Sequence, residues 1–170
     1  MKKVLVTVAL SMVLVAVQSS LLHFVGGGAF SLALALPCVV YLGLNAPTAE
    51  GSLGAVAVGC VLDAWAGGPP GLLAFLAVLL FLGSRLAGAA LDVRGPGPFA
   101  LLCGAGTFGV GLGALVLTRY VSPPEIAPGP GLLLRILVES ALTGVLSPLL
   151  LLALQRLDAL FDREEPGLLR

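Results

Sequence analysis

Long apolar runs, separated by short clusters of glycine, proline and charged residues, make up most of this chain of 170 residues. Between residues 4 and 49 no side chain is formally charged, and His23 is the nearest exception. Since a helix needs about 20 apolar residues to cross a bilayer, this run alone has room for two crossings. Backbone groups in hydrocarbon must be hydrogen-bonded within the protein, so each apolar run is expected to form an α-helix.

Glycine and proline clusters divide the chain into six expected spans, which together form a single integral membrane domain over residues 1–170. The expected bounds are residues 4–25, 30–44, 52–65, 72–91, 99–120 and 132–154. Spans two and three are short, so a tilted or re-entrant pair is an alternative to two full crossings. Residues 155–170 continue the apolar stripe of span six among charged side chains, which predicts an amphipathic cytoplasmic tail.

The distribution of lysine and arginine predicts how the spans are oriented. With six crossings and the N-terminus inside, seven of the nine basic residues lie on the inner side, and Arg119 and Arg135 lie outside. Because cytoplasmic loops carry an excess of lysine and arginine, both termini are expected to be cytoplasmic.

Composition limits the classes of protein to which this chain can belong. Hydrophobic residue types make up 58% and charged types 11% of the chain, and the mean hydropathy is +1.09. A soluble domain of this size could not bury that much apolar surface. A net charge of zero without basic clusters argues against nucleic-acid binding. Cys38, Cys60 and Cys103 lack the spacing of metal ligands and are interpreted as packing residues.

The sequence has no pattern that indicates a catalytic site. The stretch GAGTFG, residues 104–109, has the spacing of a dinucleotide-binding fingerprint but lies inside an apolar span instead of between a strand and a helix. His23 is not part of a nucleophile–base–orienter set. We therefore expect no enzymatic activity, no cofactor and no metal ion.

Small residues at every fourth position predict helix contacts, because helices in lipid associate through close packing. Span three carries Ala55 and Gly59, and span five carries Ala105, Gly109 and Gly113. We interpret these stripes as contact faces of a compact bundle, and a face for another protein is the alternative. Under the first interpretation, leucine at position 109 disrupts the packing of span five.

Ionisable side chains near or inside the spans are candidate functional residues, since such groups are costly in lipid and usually contact protein or water. Glu139 follows Arg135 by one helical turn, so the two are expected to pair. Arg85 lies toward the inner end of span four and is expected to extend to the interface, with Glu50 or Asp92 as its partner.

Asp63 begins the sequence DAWAGGPPG, in which a carboxylate precedes a tryptophan and a tight turn. The C-terminal end of a helix already carries a negative dipole, so a carboxylate there needs a cation or hydrogen-bond donors. We interpret Asp63 as an outer-leaflet anchor to a neighbouring helix or to the turn, and binding of a partner or ligand is the alternative. Trp65 fits the interfacial aromatic belt, and Gly67, Gly68 and Gly71 permit a tight reversal.

The stretch GSLGAVAVGCVLDAWAGGPPGLLAF, residues 51–75, resembles the rod shape-determining protein MreD family. The family pattern is a glycine-spaced helix, an aspartate, a glycine turn and an apolar helix. The residues that match are Gly54, Gly59, Asp63, Gly68 and Gly71, with Gln18 and Ser19 near the end of the first span. The resemblance covers about residues 1–95 and rests on hydropathy alone beyond them. The paired prolines of the turn and the glycine-dense fifth span depart from the family pattern.

This resemblance implies a non-enzymatic scaffold subunit of the bacterial cell-elongation complex in the inner membrane, acting in cell shape and peptidoglycan synthesis. The implied partners are MreC and, through it, MreB and the RodA-type glycosyltransferase with its transpeptidase; the sequence leaves self-association open. The family is also similar in fold to the substrate-binding subunits of energy-coupling-factor transporters, so a small-molecule binding or transport subunit is the alternative. A third interpretation is a transporter with Asp63 and Glu139 as proton sites. The spans carry few polar and aromatic residues, which favours the scaffold.

Cysteine accessibility tests the predicted orientation. In a variant without the native cysteines, Lys2→Cys and Leu168→Cys should each be labelled only from the cytoplasmic side, because the positive charges hold both ends there. Labelling of the two ends from opposite sides of the membrane would contradict the prediction.

Overall fold

The computed structural model describes residues 8–14, 16, 34–66, 69–90, 95–121 and 131–162, and these are helical apart from short turns. Helix α1 is described over residues 8–14 and 16. The helices that follow are α2 (Leu36–Asn45), α3 (Thr48–Ala66), α4 (Leu72–Ala90), α5 (Pro96–Val121) and α6 (Gly131–Asp162). The predicted all-α fold class is confirmed. The end of the first span and the tail beyond residue 162 lie outside the described residues.

Four helices, α3 to α6, are long and apolar enough to cross a membrane. Helices α4 and α5 match the expected fourth and fifth spans to within a few residues. Helix α3 begins at Thr48, before the expected residue 52, and takes in Glu50. Helix α6 runs on to Asp162 without a break, so the first part of the predicted tail continues the helix of span six.

Helix α2 is shorter than the expected second span. Leu34 and Ala35 form a turn, and the helix begins only at Leu36. Its ten residues reach about 15 Å, or about half of the hydrocarbon thickness. Pro37 therefore lies in the first turn, where its missing N–H costs no intrahelical bond.

Helix α2 occupies the centre of the bundle. Every residue from Leu36 to Gly43 is buried, as expected for a helix that is apolar on all sides. Val39 packs with Val58 of α3 and Phe81 of α4, whereas Val40 belongs to a second cluster that includes Phe99 of α5. Helix α2 thus packs between the α3–α4 pair and the α5–α6 pair and contacts all four helices.

The small residues of α3 form the predicted contact. Ala55 is fully buried beside Ala77 and Phe81. A Cβ atom on Gly59 would collide with the Cα atom of Ala74 and lie 3.0 Å from its nitrogen. The absence of a side chain at Gly59 therefore lets the backbones of α3 and α4 approach each other closely.

The small-residue stripe of α5 does not form the predicted contact. Ala105 and Gly109 are exposed, and a Cβ atom on Gly109 would meet nothing within 4 Å. The bundle is instead contacted by the face that carries Cys103 and Thr107, because an offset of two residues turns a side chain by about 200° around a helix. Gly113 alone of the stripe lies against another helix: a Cβ atom there would lie 2.8 Å from the side chain of Leu76.

Alanine at Gly59 tests the close approach of α3 and α4. Gly59→Ala should lower the free energy of unfolding by about 1–3 kcal/mol, the usual cost of overpacking, since the obstructing atoms belong to the Ala74 backbone. Denaturant titration in detergent measures the change. Gly83→Ala is the matched control, because its Cβ atom would meet nothing within 4 Å. Equal stabilities of the two variants would contradict the prediction.

Candidate functional site

The carboxylate of Asp63 binds the N-terminal end of α4. Its Oδ1 atom accepts a hydrogen bond from the Leu73 amide at 2.8 Å. Its Oδ2 atom accepts from the amides of Gly71 and Ala74, each at 3.0 Å. The carboxylate therefore ties the end of α3 to both the turn and the first turn of the next helix.

These contacts complete the hydrogen bonds at the start of α4, where the first four amides of a helix lack intrahelical acceptors. Asp63 takes two of them, Leu73 and Ala74. The Leu72 amide donates to the Pro69 carbonyl at 3.4 Å, and the Phe75 amide begins the helical pattern on the Gly71 carbonyl at 2.9 Å. The positive end of the α4 dipole also offsets the unfavourable position of Asp63 at the negative end of α3.

The turn between α3 and α4 supports this geometry. Gly71 has φ +88°, a left-handed conformation that glycine adopts without steric cost. Its position lets the Gly71 amide reach Asp63. Trp65 is 60% exposed, and its place in the interfacial belt stays a prediction. Gly67 and Gly68 lie outside the described residues.

Arg85 of α4 stabilises the C-terminal end of α2. Its Nη1 atom donates to the Ala46 carbonyl at 2.9 Å, directly after the last residue of α2. The Ala46 amide bonds to the Leu42 carbonyl at 2.9 Å, and Asn45 Nδ2 donates to the Tyr41 carbonyl at 3.2 Å. A cation at a helix C-terminus also opposes the negative end of the dipole. Arg85 thus donates to a backbone carbonyl at the α2–α3 turn. Of the two side chains expected to pair with it, Asp92 lies outside the described residues, and the pairing with Glu50 stays a prediction.

Arg135 and Glu139 form the expected pair on α6. Arg135 Nε lies 3.3 Å from Glu139 Oε1. The arginine side chain is 37% exposed and the glutamate side chain 16% exposed, so the pair is partly buried. An exposed i, i+4 pair contributes little to stability in water, but it neutralises two charges within an apolar helix.

A polar seam between α5 and α6 escaped the sequence analysis. The buried side chains of α6 recur in steps of three and four residues, and their counterparts on α5 follow nearly the same spacing. On α6 they are Ile136, Ser140, Thr143, Ser147, Leu151 and Leu154; on α5 they are Phe99, Cys103, Thr107 and Val110. This spacing is that of helices packed side by side, and the steps of three and four residues between Ser140, Thr143 and Ser147 are its signal in the sequence.

The backbones of the seam approach each other at two glycines. A Cβ atom on Gly144 would lie 3.3 Å from the Ala100 carbonyl and 3.6 Å from the Cα atom of Gly104. The Ser147 hydroxyl donates to the Gly144 carbonyl at 2.8 Å, which Pro148, having no amide N–H, leaves without its intrahelical donor. Close backbone packing therefore holds α5 and α6 together, as expected in lipid, and the serine hydroxyl satisfies the free carbonyl within α6.

The charged side chains of the candidate site bind groups of the protein itself. Asp63 and Arg85 bind backbone groups, and Arg135 binds Glu139. Within the described ranges, no group of three histidine, cysteine, aspartate or glutamate residues could hold a metal ion. Cys38 and Cys103 are buried and Cys60 is exposed, all as free thiols.

The class that this fold defines is an α-helical membrane protein, since four helices are long and apolar enough to cross a bilayer. Comparison of the chain with protein-family models, with curated proteins and with solved structures finds no match.

Substitution of Asp63 tests its role at α4. Asp63→Ala should lower the free energy of unfolding by about 1–3 kcal/mol, because amides of α4 lose their acceptors in a medium that offers few others. Asp63→Asn keeps one acceptor oxygen and should lie between alanine and the native protein. Chemical unfolding in detergent measures the order. An alanine variant as stable as the native protein would contradict this role.

Proposed function

We propose that this protein is a non-enzymatic scaffold subunit that acts through lateral contacts of its helices with other membrane proteins. The resemblance to the MreD family supplies the setting, the cell-elongation complex of the bacterial inner membrane. MreC is the proposed direct partner, and MreB and the RodA-type glycosyltransferase with its transpeptidase are reached through it.

The observation that carries the proposal is the outer face of α5. This face presents Ala105 and Gly109, with Leu101 (77% exposed) toward one end of the helix and Tyr120 (86% exposed) toward the other. Small residues offer the bilayer little side-chain surface, whereas they let a second helix approach the backbone closely. We therefore propose that a transmembrane helix of the partner packs on the outer face of α5.

The buried polar side chains also favour a scaffold over a small-molecule binding subunit. A pocket for a metabolite needs several polar or aromatic groups that converge on one cavity. Four of the buried hydroxyls donate instead to carbonyls of their own helices, as in Ser11 to Val8, Ser84 to Phe81 and Ser140 to Leu137. These groups are thus engaged within the helices that carry them.

In the proposed topology the chain crosses the membrane six times with both termini in the cytoplasm. The contact of Arg85 with Ala46 supports this topology. It holds the end of α2 and the C-terminal part of α4 at the same end of the bundle. The contact of Asp63 with Ala74 joins α3 and α4 near their other ends. An overall arrangement like that of energy-coupling-factor substrate-binding subunits remains part of this proposal.

Co-purification with MreC tests the proposal. Gly109→Leu should reduce the recovered MreC at least about tenfold, equivalent to about 1.4 kcal/mol, because leucine would block the approach of the partner helix. The stability of the protein itself should not change, since the site is open. Gly83→Leu on α4 is the matched control, because Gly83 is equally open.

Three outcomes would contradict the proposal. Native amounts of MreC with Gly109→Leu would remove the outer face of α5 from the interface. Failure of the native protein to recover MreC would remove the proposed partner. Recovery of an ATPase pair from mild detergent would favour the transport alternative.

A further inference from the structure

The outer face of α5 ends at a charged side chain. Leu101 and Arg119 are both exposed, and their positions differ by 18 residues, which is about five full turns of a helix. The two side chains therefore lie on the same side of α5, which is also the side that carries Ala105. They are about 27 Å apart along the helix axis, close to the thickness of the hydrocarbon core. Arg119 thus lies on the outer face of α5 where this face meets the membrane boundary.

Helix α5 is the least buried of the four helices that are long enough to cross the membrane. Within the described part of the chain, 11% of its most apolar stretch is buried, against 22% for α6 and 28% for α3 and α4. Its buried side chains, such as Cys103 and Thr107, lie on the side opposite Leu101. Of these four helices, α5 therefore leaves the largest share of its surface for contact with another molecule.

The charge of Arg119 has no carboxylate beside it on the same helix. Helix α5 contains no aspartate or glutamate, and the ion pair found between two described residues joins Arg135 to Glu139 on α6. Arg119 lies in the last turn of α5, where a cation also opposes the helix dipole. If a second helix covers the guanidinium, however, the charge loses water, and this loss is costly unless an opposite charge replaces the water.

We propose that the partner helix on the outer face of α5 carries an aspartate or glutamate at the level of Arg119. This helix is the one of the proposed function, on which the present inference rests. Its carboxylate accepts two parallel hydrogen bonds from the Arg119 guanidinium, the strong geometry of such pairs. Ala105 and Gly109 allow the partner helix to approach closely, and the ion pair fixes its register along α5, as complementary charges do across interfaces.

Substitutions at Arg119 test the ion pair, with co-purified MreC as the readout. Arg119→Gln should lower the recovered MreC at least about tenfold, and Arg119→Glu should lower it further, because a like charge would then face the carboxylate. Arg119→Lys keeps the charge but not the two parallel bonds, so its recovery should lie between those of the native protein and Arg119→Gln. Arg156→Glu is the matched control, since it reverses an exposed charge on α6 and should leave the recovery unchanged.

The melting temperature of each variant in detergent separates this ion pair from a structural role of Arg119, and it should not change, because the side chain is exposed. A melting temperature that falls together with the MreC recovery would assign Arg119 to the end of α5 alone and overturn the inference. Native recovery with Arg119→Glu would overturn it too, and a loss of co-purified phospholipid would then assign Arg119 to a lipid phosphate.

The Gly109→Leu variant distinguishes these failures from failure of the proposed function. If Gly109→Leu lowers the recovered MreC and Arg119→Glu does not, the helix contact on α5 stands and the ion pair is wrong. If the native protein recovers no MreC, the proposed function and the ion pair are both wrong.

Discussion

The structure depends on satisfying backbone groups at helix ends inside a medium that offers few other partners. Helix α4 is capped in this way at its start, and near its other end it supplies the side chain that satisfies the end of α2. Asp63 takes the free amides at its start, and Arg85, near its other end, reaches across to the Ala46 carbonyl after α2. The carboxylate binds at the positive end of the α4 dipole and the guanidinium at the negative end of the α2 dipole, so these contacts combine hydrogen bonding with favourable electrostatics. Together they position α2, α3 and α4 relative to one another.

The contact of Arg85 with the end of α2 helps to explain how a helix of ten residues can lie at the centre of a membrane bundle. Helix α2 is too short to expose both ends to water by its own length, so its carbonyls need partners from the protein. Arg85 binds the Ala46 carbonyl directly after the helix, and Asn45 Nδ2 adds a bond to the Tyr41 carbonyl within its last turn. Its apolar sides then pack against the α3–α4 pair on one flank and the α5–α6 pair on the other. The outer face of α5 remains available because the seam to α6 uses the opposite side of that helix.

The sequence allowed the helical class, most helix bounds and the Arg135–Glu139 pair to be predicted, because these follow from apolar runs, breakers and local spacing. It also singled out Asp63 and Gly59. A carboxylate at a helix end needs hydrogen-bond donors, and a glycine one turn before it permits close approach of another helix. It misjudged the start of α2, because apolar residues such as Leu34 and Ala35 look the same in a turn and in a helix. It misplaced the contact face of α5, because glycines recur on several sides of that helix, and only tertiary packing shows that Cys103 and Thr107 face inward while Gly109 faces out.

Amide hydrogen exchange of the native protein in lipid nanodiscs tests the central claim most directly. The amides of Leu73 and Ala74 belong to the first turn of α4, where amides without a capping acceptor exchange quickly. If Asp63 binds them, both should exchange as slowly as amides in the middle of α4. Exchange at the rate of an uncapped helix end would contradict the account, because the carboxylate of Asp63 would then not hold α3 to α4.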